Sequence, residues 1–348
     1  MKKFIHIGLP KTLSSALQLE FFSKHQDIHF LGVGNGSLID YIDDEVNFVF
    51  ETLLLYAKDI YFSEHKEKTI NKINSQIDIA KYENKKILGV SSEWLSFNLS
   101  PDMIDNSIKS KRLYDLFGDD TKIIIFIRNQ ANLLKSLYGQ YIREGLPLSY
   151  YEFMNYIHNF KDRNFYFDLH FDKTFENYSR LFGLKNIHVL PIEDYINKDK
   201  TLIKDGSNIK LINELCNIFD ITYPKNFTLP IVNPSLTKKE MYQKLLINKE
   251  NRHDFGNLIF EHSNIHRSRE YFKKEGVTSI NDYFKDIKTK RIALKKAKKN
   301  ALIDSNEIDF QIDNNVKNKL EEELIKSNEK LSKKYNIKLP ESYFQLNF

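Results

Sequence analysis

The sequence has a single cysteine, Cys216, so no disulfide can form within the chain. Its cysteine content therefore gives no indication of an oxidising compartment. No apolar run approaches the roughly 20 residues that a membrane-spanning helix needs. The apolar stretch after the basic opening stops at Pro10-Lys11, too early for a secretory signal. These absences favour a cytoplasmic enzyme or binding protein.

Internal repeats, Gly/Ser linkers and low-complexity tails are also missing from the 348 residues. The net charge of +5 is small for this length, so nucleic acid is not expected as a partner, while a site for anionic ligands fits. With 41% hydrophobic and 28% charged residues, the composition is that of a globular protein. The simplest partition is one domain over residues 1–348, with a helical, basic region at about 240–310.

Short apolar runs separated by segments with helical spacing predict an α/β fold with a mostly parallel central sheet flanked by helices. The ligands of such sheets bind beyond the carboxyl ends of the strands. The predicted strands are Lys3–Gly8, Ile87–Ser91, Lys122–Ile127 and Ile187–Ile192, with Ile28–Val33 as a candidate fifth.

The segment "GLPKTLSS", Gly8 to Ser15, follows the first strand and opens a helix. A helix N-terminus offers unpaired N–H groups and partial positive charge, so this loop with Lys11 is a candidate anion site. The alternative is an ordinary N-cap beside a solvated lysine, and the spacing alone does not separate the two. A nucleoside-triphosphate P-loop is disfavoured, because the second glycine that should precede the lysine is absent.

The segment "IGLPKTLSSALQ" resembles the 5′-phosphosulfate loop of bacterial sulfotransferases that use 3′-phosphoadenosine 5′-phosphosulfate (PAPS). "IIIFIRNQANLLKSLYGQYIREG" is similar to the strand and helix of their 3′-phosphate site, with Arg128 ending the strand and Ser136 eight residues later. Segments from Phe175 and Val232 and one near the C-terminus also look like the family. These segments occur in the order expected for the family and together span most of the chain outside roughly 240–310.

The resemblance implies the P-loop-like sulfotransferase fold and transfer of a sulfuryl group from PAPS, the co-substrate, to a hydroxyl of a carbohydrate or small-molecule acceptor, with no metal. It implies that Lys11 stabilises charge on the oxygen released from sulfur. It implies nucleotide binding by Pro10, Lys11, Thr12, Leu13, Ser14 and Ser15 in the first loop, by Arg128 and Ser136, and by Asn233 and Ser235 in a later loop.

The acceptor hydroxyl must lose a proton, so a general base is needed. Glu93 follows the strand Ile87–Ser91, and carbohydrate sulfotransferases resemble this in placing a glutamate base after a central strand. The alternative is a carboxylate that only stabilises a helix start.

One residue departs from the family pattern. Leu13 stands where the family has glycine, and leucine lacks glycine's access to positive φ. This leaves open a non-catalytic nucleotide- or glycan-binding descendant of the fold.

The tract Lys288–Leu302 is the most basic part of the chain. It could recruit an anionic glycan or a membrane, or form a solvated helix face, and the last interpretation is favoured.

Overall fold

The structure is a computed structural model that describes residues 1–32, 41–99, 103–197, 199, 201–230, 235–250 and 280–348, with side chains from residue 289 onward in the last range. Asn233 therefore lies outside the described residues. The strands are β1 (Lys2–His6), β2 (Ile28–Phe30), β3 (Ile87–Ser91), β4 (Thr121–Ile127), β5 (Ile187–Pro191), β6 (Lys204–Asp205) and β7 (Asn208–Ile209). The α-helices are α1 (Ser14–Ala16), α2 (Asp44–Phe48), α3 (Asp59–Tyr82), α4 (Asn106–Phe117), α5 (Gln130–Glu144), α6 (Tyr150–Asn159), α7 (Phe171–Phe182), α8 (Lys210–Phe219), α9 (Lys238–Glu250), α10 (Ile280–Asn300) and α11 (Asn314–Tyr335).

Five strands form one parallel sheet in the order β2-β3-β1-β4-β5. The central strand is β1, where Ile5 lies opposite Val90 of β3 and Ile123 of β4. The backbone N–H groups of Ile7 and Leu9 still donate to β4 beyond the end of β1, each at 2.9 Å. The prediction of a mostly parallel central sheet flanked by helices is confirmed, including the candidate fifth strand. The short hairpin of β6 and β7 was not predicted.

Each face of the sheet is covered by an apolar core, which explains why the strands read as continuous apolar runs. Side chains alternate along β1, so Phe4 packs on one face and Ile5 on the other. The face with Phe4 is covered by the first helical segment and α8, and the face with Ile5 by α5, α7 and α11 among others.

The helix after the first loop differs from the regular α-helix that the spacing predicts. It changes after α1 into a π-helical turn at Leu17–Phe22, where Ser23 N bonds to Gln18 O. The wider turn buries Leu17, Gln18, Phe21 and Phe22 together. Turns of this kind are frequent at functional sites.

Within the described part of the chain, no helix combines the length and the apolar character needed to cross a membrane.

Candidate active site

The candidate site lies at the carboxyl edge of the sheet, where β3, β1 and β4 end side by side. The first loop follows β1, the turn of Glu93 follows β3, and Arg128 follows β4 directly. Because the three strands are parallel neighbours, their carboxyl ends bring these segments to one edge. The sheet order thus gathers Lys11, Glu93 and Arg128, three charged residues that come from distant parts of the sequence.

The first loop is shaped by its own backbone. Lys11 and Leu13 both have φ of 68°, in the left-handed region. The Thr12 hydroxyl is buried and donates to Leu9 O at 2.6 Å, so it holds the loop closed. Ser14 is also buried, whereas Ser15 is exposed. The two left-handed residues alternate with Thr12, and alternation of left-handed and right-handed residues is the backbone pattern of known anion-binding loops.

Leu13 adopts the conformation that glycine would adopt, with φ 68° and ψ 10°. A left-handed conformation costs a non-glycine residue roughly 1–2 kcal/mol. The side chain of Leu13 is half-buried and packs against the core on the Phe4 face of the sheet, which offsets part of that cost. The substitution that sets this chain apart from the family pattern therefore keeps a glycine-like backbone in the loop.

Gly8 permits close packing beneath the loop. A Cβ atom at this position would lie 2.6 Å from His6 Nε2 and 2.8 Å from Phe126 Cβ. His6 is fully buried, its Nδ1 lies 2.7 Å from Ser91 Oγ, and burial lowers its pKa to about 3. His6 is therefore a neutral residue of the core.

Arg128 joins the first loop to the strand β4. Its guanidinium donates to Lys11 O at 3.0 Å. Burial lowers the pKa of Arg128, while the negative charge of Glu193 and the Tyr343 hydroxyl raise it. Glu193 itself accepts hydrogen bonds from Asn129 N at 2.9 Å and from the Tyr343 hydroxyl at 2.7 Å. This arrangement fixes a permanent cation beside the first loop.

Glu93 lies in a single 3-10 turn after β3 and is half-buried. Burial raises the pKa of its carboxyl to about 7, against a hydrogen bond from Ser14 and the charge of Lys11, which lower it. A carboxyl with a pKa near neutrality, next to a lysine, has the properties of a general base.

Lys11 is the cation whose charge lowers the pKa of the Glu93 carboxyl. Burial lowers the pKa of Lys11, the charges of Arg143 and Arg128 lower it further, and Glu93 raises it. The site thus holds cations that repel one another, and an anionic ligand would relieve this repulsion.

The Glu93 turn is held from behind by a buried polar cluster. The Lys109 ammonium donates to Trp94 O at 2.7 Å and to Asn98 Oδ1. Asn106 Nδ2 donates to Ser96 O and to Asp168 Oδ1, each at 2.7 Å. Lys109 is fully inaccessible to solvent, so burial lowers its pKa and the charge of Asp168 opposes that shift. These bonds fix the backbone that carries Glu93.

Three further residues predicted from the sequence, Pro10, Ser136 and Ser235, differ in burial and in hydrogen bonding. Pro10 is buried in the first loop. The Ser136 hydroxyl lies in α5, is enclosed, and has no hydrogen-bond partner among the described residues. Ser235 is exposed, and no hydrogen bond joins it to Lys11 or Arg128 within the described ranges.

Several neighbours of the candidate site were not singled out from the sequence. Glu193 follows β5 at the same sheet edge, so strand-end position was an available signal for it. Arg143 lies in α5, the helix that follows Arg128, so its place in the sequence was also an available signal. Lys109 and Tyr343 had no such signal, because only tertiary packing brings α4 and the C-terminal segment to these strands.

No protein-family model and no curated protein matches this sequence. Among solved structures, the chain is similar to a sulfotransferase from Alicyclobacillus acidocaldarius, with 15% sequence identity and a TM-score of 0.44. The match covers 72% of this chain and 92% of the other.

Proposed function

We propose that this protein is a PAPS-dependent O-sulfotransferase that transfers the sulfuryl group to a hydroxyl of a carbohydrate or small-molecule acceptor and releases adenosine 3′,5′-bisphosphate. The observation that carries the proposal is the meeting of Lys11, Glu93 and Arg128 at the ends of three adjacent strands. The motif resemblance described above supports the same assignment of roles.

The first loop binds the 5′-phosphosulfate in this proposal. Its backbone N–H groups and the side chains of Ser14 and Ser15 surround the 5′-phosphate, and Lys11 lies beside the bridging oxygen. The left-handed φ of Lys11 and Leu13 supports this role, because such loops form concave anion sites. The left-handed conformation of Leu13 also supports this role over a non-catalytic descendant, because the loop keeps the backbone that glycine would allow.

The 3′-phosphate is bound by Arg128 and Ser136. A guanidinium binds phosphate with two parallel hydrogen bonds, and Arg128 already lies against the first loop. The Ser136 hydroxyl is a buried group without a protein partner in the described chain, and such groups are rare in folded proteins. A phosphate oxygen would supply that partner. Asn233 and Ser235 are proposed to line the nucleotide from the later loop.

Glu93 acts as the general base. Its carboxylate takes the proton of the acceptor hydroxyl as that oxygen forms a bond to sulfur. The bond between sulfur and the bridging oxygen of the nucleotide breaks, and Lys11 stabilises the negative charge left on that oxygen. Most of the rate acceleration then comes from positioning and electrostatic stabilisation.

The proposal is tested by the binding of adenosine 3′,5′-bisphosphate, followed by calorimetry and by thermal denaturation. A ligand that binds only the folded state raises the melting temperature. Lys11→Ala and Arg128→Ala should each weaken binding by at least about tenfold, since hydrogen bonds to charged groups contribute roughly 1.5–3 kcal/mol. Lys326→Ala is the matched control, because Lys326 is an exposed lysine of α11 that pairs with Glu322 on the same helix.

Failure of saturating adenosine 3′,5′-bisphosphate to bind would refute the proposal. Transfer is then tested with radiolabelled PAPS against a panel of saccharides and small hydroxyl compounds. Binding of the nucleotide without transfer to any member of the panel would favour the non-catalytic nucleotide- or glycan-binding alternative.

A further inference from the structure

The end of α10 and the turn after it form a basic surface that the proposed reaction does not use. Residues 289–303 contain six lysines and arginines and no acidic residue. The exposed cations among them are Arg291, Lys295, Lys296, Lys298 and Lys299. We call this surface, together with the exposed apolar residues described next, the α10 surface.

Three large aliphatic side chains share the α10 surface with these cations. Leu302 is 87% exposed, Ile303 is 85% exposed and Ile292 is 57% exposed. Leu302 and Ile303 are adjacent in the turn that continues the helix, since Ala301 N bonds to Ala297 O and Ile303 N bonds to Asn300 O. Single exposed apolar residues are common, whereas contiguous exposed apolar residues surrounded by polar ones mark interaction sites.

The opposite side of the helix fixes the orientation of this surface. Ala293 and Ala297 are buried against Ile247 of α9. At 100° per residue, Lys295, Lys299 and Leu302 project away from that buried stripe. The helix therefore packs on α9 through its alanine face while its cations and aliphatic residues face solvent.

Within residues 289–303 no acidic side chain is present to neutralise the charge of the α10 surface. Exposed lysines of α11 pair with glutamates one turn away, as in Lys326–Glu322 and Lys333–Glu329. No ion pair engages Lys295, Lys298 or Lys299 among the described residues. Asp304 follows the aliphatic pair but accepts a hydrogen bond from Gln243, and Glu307 and Asp309 are exposed further along the loop. The helix end keeps a positive excess.

We propose that the α10 surface docks the protein on an anionic lipid membrane. The lysines bind anionic headgroups, and Leu302 and Ile303 enter the boundary between headgroups and acyl chains. Such binding combines apolar burial with electrostatic attraction. A polyanion such as a sulfated glycan or RNA would satisfy the lysines but would leave the aliphatic pair in water. The aliphatic pair is thus the reason to choose a membrane as the partner.

The test is co-sedimentation of the full chain with phosphatidylcholine vesicles that contain phosphatidylserine, compared with phosphatidylcholine alone. The protein should bind the anionic vesicles, and added salt should weaken binding. Leu302→Gln with Ile303→Gln should lower the partition coefficient by about tenfold or more, because each side chain loses its buried apolar area. Lys298→Glu with Lys299→Glu should lower it by at least as much, since each lysine near an anionic surface contributes about fivefold.

The matched control is Leu184→Gln with Lys185→Glu, which changes an exposed leucine and an exposed lysine outside the α10 surface. It should leave vesicle binding unchanged, and thermal denaturation should show that all variants fold. Absence of binding to anionic vesicles would overturn the proposal. So would binding that is lost with the lysine variant, unaffected by the aliphatic variant and displaced by heparin, since that pattern indicates a polyanion partner. These measurements need no nucleotide and do not depend on the proposed sulfotransfer.

Discussion

The raised pKa of Glu93 makes the stability of the protein depend on pH in a way that needs no substrate to measure. Below pH 4.5 the carboxyl is protonated in both the folded and the unfolded chain, so it has no effect on the free energy of unfolding. Between pH 4.5 and about 7 it ionises only in the unfolded chain, and folding therefore loses stability as pH rises. Above about 7 the loss is complete and constant.

The size of this loss follows from the shift itself. A rise in pKa from 4.5 to about 7 corresponds to about 3 kcal/mol. This is an upper value, because the side chain is half-buried and solvent screens part of the effect. In Glu93→Gln the loss is absent, so the variant should match the wild type near pH 4.5 and exceed it by up to about 3 kcal/mol at pH 8. For a chain of 348 residues that is a melting temperature higher by up to about 4 °C.

The assay is thermal denaturation of both proteins across this pH range. Glu176→Gln is a control of opposite sign, because hydrogen bonds from Tyr335 and Lys330 lower the pKa of Glu176 to about 2. That stabilisation is present above the ordinary carboxyl pKa and is lost as pH falls through about 2, so Glu176→Gln should be less stable than the wild type at neutral pH. The electrostatic account of Glu93 would be refuted if the difference in melting temperature between Glu93→Gln and the wild type stayed constant from pH 4.5 to 8.

Two further predictions concern the packing around the site. Lys109→Met should destabilise the fold by about 2–5 kcal/mol in urea denaturation, because the buried acceptors Trp94 O and Asn98 Oδ1 lose their donor, at roughly 1–3 kcal/mol each. A loss under about 1 kcal/mol would show that these two hydrogen bonds do not hold the turn. Leu13→Gly should change the unfolding free energy by less than about 1 kcal/mol, since relief of the left-handed backbone offsets lost packing, whereas Leu13→Val should destabilise by about 1–2 kcal/mol because β-branching opposes positive φ. Equal stability of the two Leu13 variants would contradict the conformation described for this loop.

Local sequence pattern was sufficient for the strands and the general class of fold. Buried strands of a parallel sheet are continuous apolar runs, and each of the five runs singled out proved to be a strand of one sheet. Pattern was not sufficient for the π-helical turn at Leu17–Phe22, because its spacing of apolar residues is compatible with an ordinary helix. The two-residue strands β6 and β7 are also too short to leave a periodic signal.

Local pattern also identified the position of the first loop but not its conformation. The sequence showed a leucine where the resembling family has glycine, and from residue type alone the left-handed region is disfavoured. Packing of the Leu13 side chain against the core on the Phe4 face of the sheet stabilises the left-handed conformation that residue type alone disfavours. The same holds for Ser136, whose place on a helix was predictable but whose enclosed, unpartnered hydroxyl was not.

The sequence by itself determined the parallel sheet and the end of each strand where Lys11, Glu93 and Arg128 stand, because apolar runs and strand ends are local properties of the chain. Only the tertiary structure decided the sheet order that brings these residues together, the pKa of Glu93 near 7, and the contacts of Lys109, Glu193 and Tyr343. These depend on burial and on through-space charge between segments far apart in sequence, which no local pattern encodes.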